Sequence, residues 1–158
     1  LNHLLLIDVC NILLSESRLR ALLDTHGMEV AIADLMGRLR VLHDTEGYEL
    51  HGVVDGQGRA LEQVLLGNEK TISLFYTPTH QTADSVIEAW LMRLDKSWTV
   101  LVASGDRAIQ HTAVAHHAEI LNASQLLEWA DRVARRSLRK HPQQKTFGNS
   151  LESYFKDR

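Results

Sequence analysis

The sequence has 158 residues, 44% of them hydrophobic, with a formal net charge of -3 and a single cysteine, Cys10. That length suits one compact domain with a real core, and one cysteine excludes an internal disulfide framework and fits a reducing, cytoplasmic setting. No apolar run approaches the length of a membrane span, and no secretory signal peptide is visible.

Leu4 to Ile7 is an apolar run short enough for a buried strand, and it ends in Asp8. Met28 to His43 then carries Val30, Ile32, Leu35, Leu39 and Leu42 at helical spacing. Leu50 to Val54 is a second, weaker strand ending in Asp55, after which Gly56-Gln57-Gly58 reads as a turn. Ile72 to Tyr76 is a third strand. Thr77 to Gln81, which contains Pro78, links it to a helix over Ala83 to Leu94. Thr82 is the expected N-cap of that helix, and Val86, Ile87, Trp90, Leu91 and Leu94 form its apolar face. Val100 to Ala103 is a fourth strand and leads to Asp106. Helices over Ala108 to His117 and Ser124 to Leu138 flank a short strand near Ile120. This alternation predicts an α/β fold with a mainly parallel sheet flanked by helices.

Charge is unevenly spread along the chain. From Arg132 to Arg158 there are eight Lys/Arg against two acids, whereas the residues before them carry nine against eighteen. Arg132, Arg135, Arg136, Arg139 and Lys140 cluster at helical spacings. They form either a strip that tracks phosphates or a solvated helix face with a frayed end. Residues 1–141 are expected to form the domain, and 142–158 a basic, partly ordered tail.

The acids carry the chemistry. In TADSVIE, from Thr82 to Glu88, Asp84 and Glu88 stand four residues apart on one helix face, where like charges repel. In an open parallel sheet, ligands gather outside the carboxyl ends of the strands, and Asp8, Asp55 and Asp106 all follow strand candidates there. Five carboxylates converging on one crevice would not all stay ionised without cations. Mg²⁺ or Mn²⁺ is the natural match, because both favour oxygen ligands and Mg²⁺ retains several waters. Plainer accounts exist for most of these acids taken singly. Asp84 complements a helix macrodipole, Asp55 suits turn chemistry, Asp106 can cap the following helix, and Glu88 can be a solvated helix residue. Arg107, beside Asp106, can reach a substrate phosphate or form a surface salt bridge.

Other chemistries are weakly supported. His111, His116 and His117 lack the spacing that points two imidazoles at one ion, and one cysteine is too few for a thiolate site. No dinucleotide or P-loop glycine motif is present. Trp90, Trp98 and Trp129 read as core or hinge residues rather than a base-stacking set.

The segments IDVCN (Ile7 to Asn11), VVDGQG (Val53 to Gly58), TADSVIE and SGDRAIQ (Ser104 to Gln110) resemble, in order, the motifs of the YacP-like branch of the NYN domains. Those domains belong to the PIN-like nuclease superfamily, and the resemblance spans Leu4 to Leu127. It implies a three-layer α/β/α PIN-like fold and a ribonuclease that uses Mg²⁺ or Mn²⁺. Its acidic centre would consist of Asp8, Asp55, Asp84 and Asp106, with Glu88 as a further metal ligand. Asn11 and Ser104 match positions that orient a ligand carboxylate, a water or a phosphate oxygen. RNA is the implied partner, met free or on a ribosome. The first motif of the branch usually reads DGYN; here Val9 and Cys10 replace Gly and Tyr, a change that bears on substrate preference and spares the carboxylates. Two other readings stand beside the ribonuclease: a non-catalytic module that binds RNA or a ribosome, and a phosphohydrolase acting on a small molecule. The first is expected to have lost acids that this chain keeps. The second is expected to show a DxD motif after the first strand, where this chain has Asp8, Val9 and Cys10.

Overall fold

The computed structural model describes residues 2–67 and 70–140. Its first strand, β1 (Asn2–Asp8), is apolar in succession because it lies inside a sheet covered on both faces. Leu5 and Ile7 enter one layer and Leu4 and Leu6 the other, following the period-two alternation of a strand.

Three helices, α1 (Val9–Ser15), α2 (Ser17–His26) and α3 (Met28–Glu46), carry the chain to β2 (Tyr48–Gly58). A short strand β3 (Glu62–Leu65) precedes β4 (Ile72–Pro78). Then come α4 (Ala83–Arg93), β5 (Trp98–Ala103), α5 (Arg107–Ala115), β6 (Glu119–Leu121) and α6 (Ala123–Lys140). The sheet order is β3-β4-β2-β1-β5-β6, parallel throughout except for β3, which runs antiparallel to β4. From β1 the chain builds outward through β2 and β4, then crosses back to place β5 on the other side of β1. Parallel crossovers are right-handed, so this reversal sends α4 and α5 to the opposite face from α1, α2 and α3. Two separate cores result. Leu35, Leu39 and Leu42 of α3 pack with Leu126, Ala130 and Val133 of α6 on one face. Val86, Ile87 and Leu91 of α4 pack with Ile109 and Ala113 of α5 on the other.

The sequence signals misplace some elements. The run from Val9 to His26 forms two helices that periodicity does not announce, because α1 is short and α2 buries only Leu19. Glu16 starts α2 by accepting from Leu19 N at 2.7 Å. Gly56-Gln57-Gly58 is not a turn: β2 continues through it, with an irregularity between Val54 and Gly58 in its pairing with β4. Gly56 allows this, since a Cβ there would lie 2.3 Å from the Thr77 carbonyl oxygen, while its N–H donates to Thr77 Oγ1 at 3.1 Å. The hairpin strand β3 is exposed and polar at Glu62 and Gln63, so it lacks an apolar signature. No described helix is long and apolar enough to cross a membrane. The expected tail, 142–158, lies outside the described residues.

Candidate acidic site

The strand order reverses between β1 and β5, and it is outside the carboxyl ends of such a pair that an open parallel sheet forms its crevice. Asp8 closes β1 there with only 7% of its surface exposed, facing the fully buried Ser104 just past β5. The Ser104 hydroxyl donates to Asp8 Oδ2 at 2.9 Å and accepts from Asp106 N at 3.1 Å, so it fixes the carboxylate's orientation. Burial pushes the Asp8 carboxyl above its ordinary range. The Ser104 hydrogen bond opposes that shift, and the charges of Asp55 and Asp106 add to it.

Asp106 and Asp55 reach the crevice while holding helix ends. Asp106 N-caps α5, its Oδ1 accepting from Ala108 N at 2.8 Å and Ile109 N at 3.2 Å. Asp55 extends from β2 so that its Oδ1 accepts from Ala83 N, the first residue of α4, at 2.9 Å. Thr82 caps the same helix through Ser85 N at 3.1 Å. In both aspartates Oδ2 has no protein donor among the described residues. Asp55 therefore satisfies one, and Asp106 two, of the amide groups left open at a helix start, and each keeps an oxygen for a ligand.

Asp84, in the first turn of α4, is the strained member of the set. Its Oδ1 is sealed from solvent and has no hydrogen-bond partner. Burial is the main reason its pKa rises from 3.8 to about 6, followed by the charges of Glu88 and Asp106, proton sharing with Glu88, and the charge of Asp8. Glu88, one turn along, is tied to α5 by the Thr112 hydroxyl, which donates to its Oε1 at 3.1 Å. TADSVIE thus puts both carboxylates beside the crevice, with Asp84 pointing inward and Glu88 bridging α4 to α5.

Further polar residues brace the rim. The Gly105 N–H donates to Asn11 Oδ1 at 2.7 Å, and the Ser15 hydroxyl donates to the Asn11 carbonyl at 2.5 Å. Gln110 donates its amide to the Ser104 carbonyl at 3.0 Å. The bracing by Thr112 and Gln110 is absent from the sequence reading; its only signal is their position on the helix that Asp106 begins. Arg107, the first residue of α5, is exposed and has no ion pair among the described residues. Cys10 sits half-buried with its thiol pushed up, first by burial and then by the charges of Asp55 and Asp8, against an opposing backbone hydrogen bond. That disfavours the nucleophilic thiolate.

The donor set fits a hard divalent cation. Every candidate ligand is an oxygen, one of them buried without a partner, and the carboxylates raise one another's proton affinity as uncompensated neighbours do. Among the described residues no three His, Cys, Asp or Glu side chains form a ready-made metal cage. A hydrated ion such as Mg²⁺, which takes one or two direct carboxylates and keeps its waters, does not require such a cage.

The arginine strip lies elsewhere. β6 runs parallel to β5 and ends at the crevice edge, so α6 starts there and its later turns run toward the opposite edge of the sheet. Trp129 meets Tyr48, the first residue of β2, edge to face with ring centroids 5.1 Å apart. Arg136 pairs with Glu46, the last residue of α3, at 3.0 Å. Arg132, Arg135, Arg139 and Lys140 are exposed along the same stretch.

With this geometry in place, comparison with known proteins is informative. The profile of the YacP-like NYN domain matches residues 5–158. Two crystal structures of Rae1 (YacP) from Bacillus subtilis superpose on the chain. One, a mutant form, has a TM-score of 0.71 at 21% identity, covering 95% of this chain and 88% of that one. The other has a TM-score of 0.70 at 20% identity, covering 89% and 80%. They share its fold. No curated protein matches the sequence significantly.

Proposed function

The chain belongs to the YacP-like NYN domain family, a nuclease-like family, and from that premise we propose that it is a metal-dependent endoribonuclease. The cut would be made at the crevice between β1 and β5. The observation that carries this reading is Asp84 Oδ1, buried and unpartnered in a ring of other acids. Asp8 and Asp84 are the residues to hold Mg²⁺ or Mn²⁺ directly, Asp106 directly or through water, and Asp55 and Glu88 around them. A bound cation of this kind neutralises the acids, polarises a phosphate and makes a bound water a stronger nucleophile.

The chain's own groups do the rest. Ser104 keeps Asp8 turned toward the crevice, while Asn11 is held by Gly105 with its amide NH₂ left to meet a phosphate oxygen or a water. Arg107 stands beside Asp106 with its guanidinium free to meet substrate phosphate. Free Cys10 is in keeping with a cytoplasmic setting. The substrate is met alone or on a ribosome.

The test is cleavage of single-stranded and structured RNA with Mn²⁺, comparing the protein with an Asp8→Asn, Asp84→Asn double variant. Cleavage by the protein and not by the variant supports the reading; equal activity sinks it. The lack of a ready-made cage favours a second reading, an RNA-binding module that does not cut. That reading gains if RNA is bound and left intact with Mn²⁺ present.

A further inference from the structure

We propose that α6 and the amino edge of the sheet form a second RNA-binding surface, separate from the acidic crevice, which grips the phosphate backbone of single-stranded RNA away from the point of cleavage. The proposal rests on the RNA-directed reading above. A cavity of about 600 Å³ is lined by Trp129, Arg132, Arg135, Arg136 and Arg139. The four arginines fall at i, i+3, i+4 and i+7, which places them on one side of the helix, opposite the buried Leu126, Ala130 and Val133.

These charges outnumber the local acids: five cations from Arg132 to Lys140 stand against Glu128 and Asp131 on the same helix. Arg136 alone is paired, with Glu46, and Asp131 is engaged by Arg38 of α3 at 3.7 Å. Arg132, Arg135 and Arg139 have no acidic partner among the described residues. The helix macrodipole favours cations in the last turn only, which accounts for Arg139 and Lys140 but not for Arg132 and Arg135. Glu128 and Asp131 do stand one turn before Arg132 and Arg135, the spacing at which a solvated helix face pairs its charges, yet neither forms an ion pair with them, and Asp131 turns to Arg38 instead. Four arginines converging on one concavity are instead the donors that phosphates recognise, through planar forks that bind two oxygens at once.

Position makes the surface distinct. Tyr48, on which Trp129 rests, pairs with His3 of β1, while Asp8 pairs with Val53. The offset from His3 to Asp8 is five residues, about 17 Å at the rise of a strand, and the arginines lie further along α6. An RNA touching both places spans roughly 20 Å, about six stacked nucleotides at 3.4 Å each. The crevice is itself an array of carboxylates that repels phosphates until cations enter it. The arginine groove therefore supplies attraction that the cutting site lacks.

The experiment measures binding of a labelled 20-nucleotide single-stranded RNA in EDTA over a range of salt concentrations. It compares the protein, an Arg132→Gln, Arg135→Gln variant, and an Arg93→Gln, Lys96→Gln variant matched in charge on the opposite face. Arg136 is spared because it holds Glu46, and thermal melts verify that each variant is folded. The expected result is an affinity loss of about tenfold in the first variant alone, with the slope of log K against log salt flatter by about 1.4. Equal losses in both variants, no loss in either, or no RNA binding by the unaltered protein overturns the proposal. So does binding to phosphatidylserine vesicles in place of RNA. Binding in EDTA is read separately from the Mn²⁺ cleavage assay: binding that depends on Arg132 and Arg135, with no cleavage in Mn²⁺, sinks the ribonuclease and spares the groove. Cleavage with arginine-independent binding does the reverse.

Discussion

Ser104 and Asp8, 96 positions apart in sequence, meet through a 2.9 Å hydrogen bond in which the hydroxyl donates to the carboxylate. This contact ties β5 to β1 at the seam where the strand order reverses. It also favours the charged form of a carboxyl that burial pushes the other way. Ser104→Ala is expected to cost about 2 kcal/mol in unfolding experiments, since a buried carboxylate loses its donor. It should also raise the Asp8 pKa further. The acidic limb of the cleavage rate against pH should then move to higher pH, a shift absent if Ser104 only fills space.

Asp84 predicts a pH dependence of opposite sign to that of a salt-bridged acid. Its folded-state pKa, about 6, is above the ordinary 3.8, so the folded protein binds the proton more tightly than the unfolded chain. The resulting stabilisation is fully present below pH 3.8 and is lost as pH rises through about 6. Without divalent cations, Asp84→Asn should melt progressively higher than the parent as pH is raised from 4 to 8. Millimolar Mn²⁺ should raise the parent's melting temperature and leave the variant's nearly unchanged, while the variant's cleavage falls by about a hundredfold or more. Parallel melting curves across this pH range would count against an uncompensated Asp84.

Asp55 permits a separation of structural from chemical roles. Asp55→Ala strips the partner from Ala83 N and should cost about 1 kcal/mol, the usual worth of a cap. Asp55→Asn can still accept from that amide, so its melting temperature should stay near the parent's while cation-dependent cleavage drops. If both variants melt alike, the hydrogen bond to α4 contributes nothing to stability.

Gly56→Ala tests the close approach of β2 to β4. The added Cβ would come within 2.3 Å of a main-chain oxygen, and backbone cannot swing aside as a flexible side chain does. A loss of about 1–3 kcal/mol is expected in denaturant titrations. Because Asp55 precedes Gly56, activity should fall even at temperatures where the variant is folded.

Much of the molecule is legible in its sequence, for identifiable reasons. β1 announces itself because a strand buried on both faces reads as a continuous apolar run, and α4 because Thr82 caps an amphipathic helix. The acids converge because parallel topology puts the carboxyl ends of β1, β2, β4 and β5 on one edge. The polar edge strand β3 and the nearly unburied α2 leave no periodic mark. Nor does spacing along α6 reveal which edge of the sheet its arginines reach, since that depends on the direction of β6. The caps made by Asp55 and Asp106 show that structural and chemical accounts of one aspartate can both hold, as its two oxygens serve different partners.

That double duty has a consequence for how the chain tolerates mutation. Suppose random variants were sorted only for folded protein, with no demand for activity. Position 106 would favour the N-cap residues Asp, Asn, Ser, Thr and Gly, and position 55 side chains that still accept from Ala83 N. Position 84 would drift toward uncharged residues, because there the carboxylate works against folding. The pattern of allowed residues would thus distinguish acids retained by architecture from one retained only by selection for its chemistry.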